Sequence, residues 1–132
     1  MGDAALTWYG LEEFKADLRR LPVELRDEGR ALVLRHATAA RDLTIANYPE
    51  GPTGALKRGV VMTEERSEFG MMAVVKSRAY HAHLFEYGSR HQPPAPPEKR
   101  LGTHAARERR KMYDALKRLM ESKGLKVTGD AW

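Results

Sequence analysis

The sequence predicts an α+β fold, and three observations carry the prediction. Apolar residues recur at helical spacing from Leu11 to the forties. Alternating Val- and Met-rich runs follow at 59–77. A second helical run, strongly basic, occupies 104–123. Helices segregated from one short antiparallel hairpin define this class. The expected architecture is long N-terminal helices and a C-terminal helix packed on a small antiparallel sheet. One domain should span 1–123, with 124–132 a tail or a short strand.

Taken in order, Leu6-Thr7-Trp8-Tyr9 is β-prone and ends at Gly10, so it reads as an edge strand or as an arm that lays Trp8 on the body. Leu11, Phe14, Leu18 and Leu21 share a helical spacing and predict a short amphipathic helix. Pro22 belongs in the first turn of a second helix, where its missing N–H costs nothing. That helix should run to Asn47, with Leu25, Leu32, His36, Ala39, Ala40 and Leu43 on one face. Gly29 marks a bend or a close crossing, and His36 reads as a hydrogen-bonded core or boundary residue. Tyr48-Pro49-Glu50-Gly51-Pro52 ends the helix.

Thr53 is placed to cap a short turn, and Gly54 to adopt backbone angles closed to other residues. Runs at 59–65 and 69–77 flank Arg66-Ser67-Glu68 and predict a hairpin with an acidic, exposed tip and Val60 and Met62 on its core face. Tyr80 to Ser89 crowds aromatics, His81, His83 and Glu86 into a hinge that empties into a stiff proline loop at 90–98. Thr103 should cap the last helix, His104 to Lys123, whose apolar stripe is Ala105, Met112, Leu116 and Leu119, with Tyr113 and Met120 beside it. Gly124 stops it.

The bulk numbers exclude several classes. No apolar run approaches the ~20 residues that cross a bilayer, and the first residues lack the features of a signal peptide. With 0 Cys there is no disulfide framework, which fits synthesis in the cytosol. The net charge of +5 is uneven: residues 1–98 carry 13 Lys+Arg against 14 Asp+Glu, and residues 99–132 carry 10 against 4. A basic C-terminal segment suits nucleic acid or an acidic protein surface, and a solvated helix face is the plainer explanation.

Chemistry is sparse. His81 and His83, two apart, would point to one side of a strand and with Glu86 or His91 hold a metal, but no second ligand cluster supports them. No phosphate-binding glycine loop and no Gly-x-Ser-x-Gly elbow occurs. Glu86 with a histidine is the minimal outline of a small ribonuclease. Structural use of such a cluster is far commoner.

Three segments carry a family resemblance. Pro52-Thr53-Gly54-Ala55-Leu56-Lys57-Arg58 resembles a Thr-Gly-x-Leu-basic motif. Tyr80-His81-Ala82-His83-Leu84-Phe85-Glu86-Tyr87-Gly88-Ser89 resembles a Tyr-Ala-x-x-x-Glu-aromatic-Gly-Thr motif, with one more residue between Tyr80 and Glu86 and Ser89 in place of Thr. Pro93 to Pro97 resembles a proline loop ahead of a C-terminal helix, although Glu98-Lys99 follow where the family has Phe and an aliphatic residue. Leu101 is the replacement anchor. From about Gly10 to Met120, this order is similar to the tail-component family of long-tailed bacteriophages and prophages, the tail-completion or neck proteins.

The resemblance implies an α+β fold and a structural, non-enzymatic role without cofactor or metal. It implies a virion protein of the head–tail junction, assembled in the host cytoplasm as a ring, six subunits by family analogy. Its partners would be copies of itself, a head-side connector or stopper and the tail tube, with DNA passing through and no membrane. A small nucleic-acid-binding or ribonuclease-like module is the alternative.

Rings need heterologous contacts. The interface candidates are Thr53, Gly54, Leu56, Glu64, Glu65, Tyr80, Glu86, Tyr87, Gly88, Pro94, Pro97, Arg109 and Arg110. Phe85 should point inward and Tyr87 toward the rim. Glu64, Glu65 and Glu68 would meet the cationic last helix of a neighbour and set register.

Overall fold

The computed structural model describes residues 12–16, 18, 21–51, 54–67, 70–79 and 82–124. The strand or arm expected at 6–9 and the tail at 125–132 lie outside these residues, as do Thr53, Glu68, Tyr80 and His81. The elements run β1 (Glu12–Ala16), α1 (Val23–Asn47), α2 (Ala55–Arg58), β2 (Val60–Ser67), β3 (Gly70–Ser77), α3 (Ala82–Tyr87), a 3-10 turn (Pro97–Lys99) and α4 (Leu101–Ser122). The sheet is antiparallel in the order β1-β3-β2. This is the expected α+β class.

The first element is a correction. The stretch read as a short helix is β1, paired to β3 from Glu12↔Val75 to Ala16↔Met71. Phe14 and Ala16 are buried while Lys15 between them is exposed. Glu-Glu-Phe-Lys-Ala satisfies period two as well as period 3.6, and the open edge of β3 decides between them by pairing its backbone. Among the described residues one long helix therefore precedes the hairpin.

Helix α1 begins at Val23, with Pro22 outside it as the N-cap rather than in its first turn. It ends where Tyr48 turns extended (ψ 144°) ahead of Pro49. Its inward residues are Leu25, Gly29, Val33, Ala37, Ala40 and Thr44. Leu32 is only partly buried, and Leu43 remains 41% exposed. The face differs from the expected one because α1 is covered by both the sheet and α4. Small residues take the line of closest approach, and Leu32, Leu34 and Ile45 splay to the margins. At Gly29 a Cβ would lie 2.9 Å from Leu21 Cδ1 and 3.1 Å from Leu18 Cδ2, so the glycine leaves room for leucine side chains of the segment that leads into α1, while Leu116 of α4 lies at an ordinary 3.6 Å.

In the hairpin, Ser67 pairs with Gly70, so Arg66 and Ser67 belong to β2 rather than to the tip. Val60 is buried and Met62 packs against the core, as the alternation predicts. Helix α4 starts at Leu101, before Thr103, and no side chain of its own N-cap residue closes it. Leu101, Ala105, Met112 and Leu116 pack into the core with Phe14, Val33 and Val75, and Gly124 follows the end of the helix. His36 meets Glu108 while Gly29 faces Leu116, so α1 and α4 run antiparallel. Among the described residues no helix is long and apolar enough to cross a membrane.

Candidate functional site

The segment read as a hinge is helical: Ala82–Tyr87 forms α3. A strand with His81 and His83 on one side is thereby corrected, because His83 lies in the helix and His81 outside the described residues. Among the described residues no group of three His, Cys, Asp or Glu is placed to hold a metal ion.

Glu86 is the centre of this corner. It is only 3% exposed. The Tyr48 hydroxyl donates to Glu86 Oε2 at 2.6 Å. The first two backbone N–H groups of α4 also point at the carboxylate, Leu101 N at 2.6 Å and Gly102 N at 3.1 Å. A carboxylate at a helix N-terminus satisfies donors that have no partner within the helix and opposes the positive end of its dipole. This contact does the work expected of Thr103. Burial, then the Glu86 charge and its hydrogen bond, push the Tyr48 hydroxyl far above the ordinary phenol range, so Tyr48 stays protonated and donates. The Tyr48 ring meets Phe85 edge-on, centroids 4.7 Å apart. Glu86 is thus a structural staple rather than an interface residue.

The proline loop does not project freely, a second correction. Gly88 adopts φ +81° and its N–H donates to Leu84 O at 2.9 Å. Ser89 N donates to Gln92 O, Gln92 N donates back to Ser89 Oγ, and Ala95 N donates to Phe85 O at 2.9 Å. The Arg100 guanidinium donates to Ala95 O. The loop is tied to α3 at Gly88 and Ala95 and folded on itself between Ser89 and Gln92, with residues 89–94 exposed.

Around this corner the sequence segments converge. A cleft of about 720 Å³ is lined by Pro49, Glu50 and Gly51 after α1, by Ala55 and Leu56 of α2, by Leu84 and Phe85 of α3, and by Gln92–Pro96 with Lys99. Leu56 is buried at its base, and Pro94 forms part of its wall. Gly54 caps α2 with φ +68°. Beside the cleft Tyr87 is 65% exposed and Leu84 43%, while Phe85 packs on the core. Pro97 opens the 3-10 turn and is exposed.

The charged candidates separate. Arg109 donates from Nη1 to Glu12 Oε2 at 3.1 Å and to the Glu13 carbonyl at 3.3 Å, which ties α4 to β1. Arg110, one residue and about 100° further round the helix, is exposed. Glu64 accepts from Arg30 Nε at 3.0 Å and from Arg66 Nε at 2.9 Å, so its charge is already met within the subunit. Glu65 is exposed and, by strand alternation, on the opposite face of the sheet from Glu64. The two acids lie in β2 and face apart; they do not form one acidic tip.

Buried polar residues on α4 escaped the sequence reading. Burial raises the Glu108 carboxyl, but hydrogen bonds from His36 (2.9 Å) and Lys111 (3.2 Å) outweigh it and hold the pKa below the usual carboxylate value. On Glu12 the balance is reversed: burial outweighs Arg109 and raises it. Burial and the nearby Arg107 charge lower the pKa of His104, whose Nε2 is buried without a partner while the ring bonds the Glu98 carbonyl. A His lowered in the folded state stabilises at pH above its unfolded value of 6.5 and loses that contribution as pH falls through the folded value. Folding stability should therefore decline as pH drops below about 6.5, and His104→Gln should flatten this part of the profile. Denaturant titrations at stepped pH read the slope; an unchanged slope in the variant refutes the assignment.

Comparison with known proteins finds no matching family model, no matching curated protein and no matching solved structure.

Proposed function

We propose that this chain is a structural subunit of the head–tail junction of a long-tailed bacteriophage or prophage, assembling as a ring between head connector and tail tube. The observation that carries the reading is the convergence of its three family-like segments. The first is separated from the adjoining second and third by the hairpin, and all three line one cleft, with the exposed Leu84 in its wall and the exposed Tyr87 beside it. Exposed aromatic and aliphatic side chains beside an apolar cleft suit a protein partner. Prolines held by backbone hydrogen bonds lower the entropy lost on docking. The role needs no turnover, cofactor or metal.

Electron microscopy of the protein mixed with tail tubes of the phage that encodes it tests this. Rings seated on tube ends are expected, and Leu84→Asp with Tyr87→Ala should abolish them without changing the circular dichroism of the subunit. Absence of rings on the tubes, or turnover of a substrate by the purified protein, defeats the reading. Glu65→Lys is the informative charge change; Glu64→Lys would also break the Arg30 pair inside the subunit.

A further inference from the structure

We infer that the outward face of α4 binds the phosphate backbone of duplex DNA without regard to sequence. The inward face of the helix is Leu101, His104, Ala105, Glu108, Met112 and Leu116. At 100° per residue, Arg110 and Lys117 fall on the opposite side and Arg107 and Arg118 on one flank, Arg118 beside Glu28 at the groove with α1; all four are exposed. Two further cations of the helix are engaged internally, Arg109 with Glu12 and Lys111 with Glu108. The four outward cations make no ion pair among the described residues. Asp114 and Glu121 share their face, so positive charge exceeds negative without being uniform.

Charge complementarity selects the partner. From Arg107 to Arg118 the stripe is about 16 Å long at ~1.5 Å per residue, against one phosphate charge per about 1.7 Å of duplex axis. Three of the four cations are arginines, whose planar forks match phosphate oxygens. Tyr113, between Arg110 and Lys117 on the helix, packs against the core and offers no free ring for unpaired bases, which favours duplex over single strand. The hairpin of a second copy is a weaker rival, because Glu64 is already paired to Arg30 and Arg66 and Glu65 alone of its described acids is left to meet the stripe.

The inference deepens the junction reading by giving the DNA path a surface, but it is tested separately. Fluorescence anisotropy with a random-sequence duplex of about 30 base pairs should show binding at about 50 mM salt that weakens steeply with added salt, log K falling by about 0.9 per log salt for each phosphate contact. Arg110→Glu with Arg118→Glu should lower affinity at least about tenfold and make the slope shallower by about 2. Glu65→Lys should not weaken binding. Unaltered ring formation by the double variant on tail tubes supports the DNA role. Lost rings with unaltered DNA affinity would make the stripe a protein interface and overturn it. No duplex binding by the wild-type protein at low salt, or tighter binding of a single strand, also overturns it. DNA binding without rings would instead remove the junction reading and leave this one standing.

Discussion

Replacing Glu86 by Ala should cost roughly 3–5 kcal/mol of folding stability. The substitution removes the acceptor for Tyr48 Oη, Leu101 N and Gly102 N together. These donors sit at a corner where the residue is only 3% exposed. Water does not replace the carboxylate freely, so each unpaired donor retains its desolvation cost. A typical domain holds about 5–15 kcal/mol in all, and the loss would leave little margin. Glu86→Gln separates shape from charge. Its amide keeps one oxygen acceptor but places an NH₂ toward donors on the other side, and should cost about 1–3 kcal/mol. Tyr48→Phe removes the hydroxyl that is one of the three donors, so the pair Tyr48→Phe with Glu86→Ala should be less destabilising than the sum of the singles. Urea denaturation of the wild type and the four variants reads these differences. A Glu86→Ala cost under about 1 kcal/mol would mean that the staple contributes no more than an exposed cap.

Gly88→Ala is the second large effect, expected at about 2–5 kcal/mol. Two causes add. Gly88 lies at φ +81°, a left-handed conformation that costs an L side chain about 1–2 kcal/mol. A Cβ there would also meet Pro94 N at 2.7 Å and Pro94 Cδ at 2.8 Å. That neighbour is backbone and proline ring, not the end of a flexible side chain, and it is held by the Ala95–Phe85 hydrogen bond. Either α3 or the loop must shift, which adds about 1–3 kcal/mol. Gly51→Ala is the control: φ is +67° and nothing lies within 4 Å of the added Cβ. It should show the conformational part alone. Hydrogen exchange should locate the damage at the Ala95 amide in the Gly88 variant. Equal costs at the two glycines would show that close approach of the loop to α3 is unimportant.

These two positions also show what the sequence conveys and what it conceals. Glu86 stands out among aromatics, and Gly88 is an evident break. Their partners, Tyr48, Leu101 and Pro94, come from other elements, and nothing local in the chain announces the pairing. His36 was legible as a bonded boundary histidine; the carboxylate it bonds is 72 residues away. Arg109 and Arg110 are indistinguishable by composition. Only the rotation of α4 against β1 assigns one to Glu12 and the other to solvent.

By itself the sequence determined the long helix ending at Pro49, the hairpin, the basic last helix and the α+β class. Each is written in a local period or in proline and glycine, whose effects act over a few residues. Tertiary structure alone decided that 12–16 is a strand, which side of α1 is inward, that Glu86 caps α4, and that Glu64 is already paired. Those outcomes depend on which groups remain unpaired when distant segments meet, and the hydrogen-bonding and desolvation costs of that meeting outweigh the small local preferences.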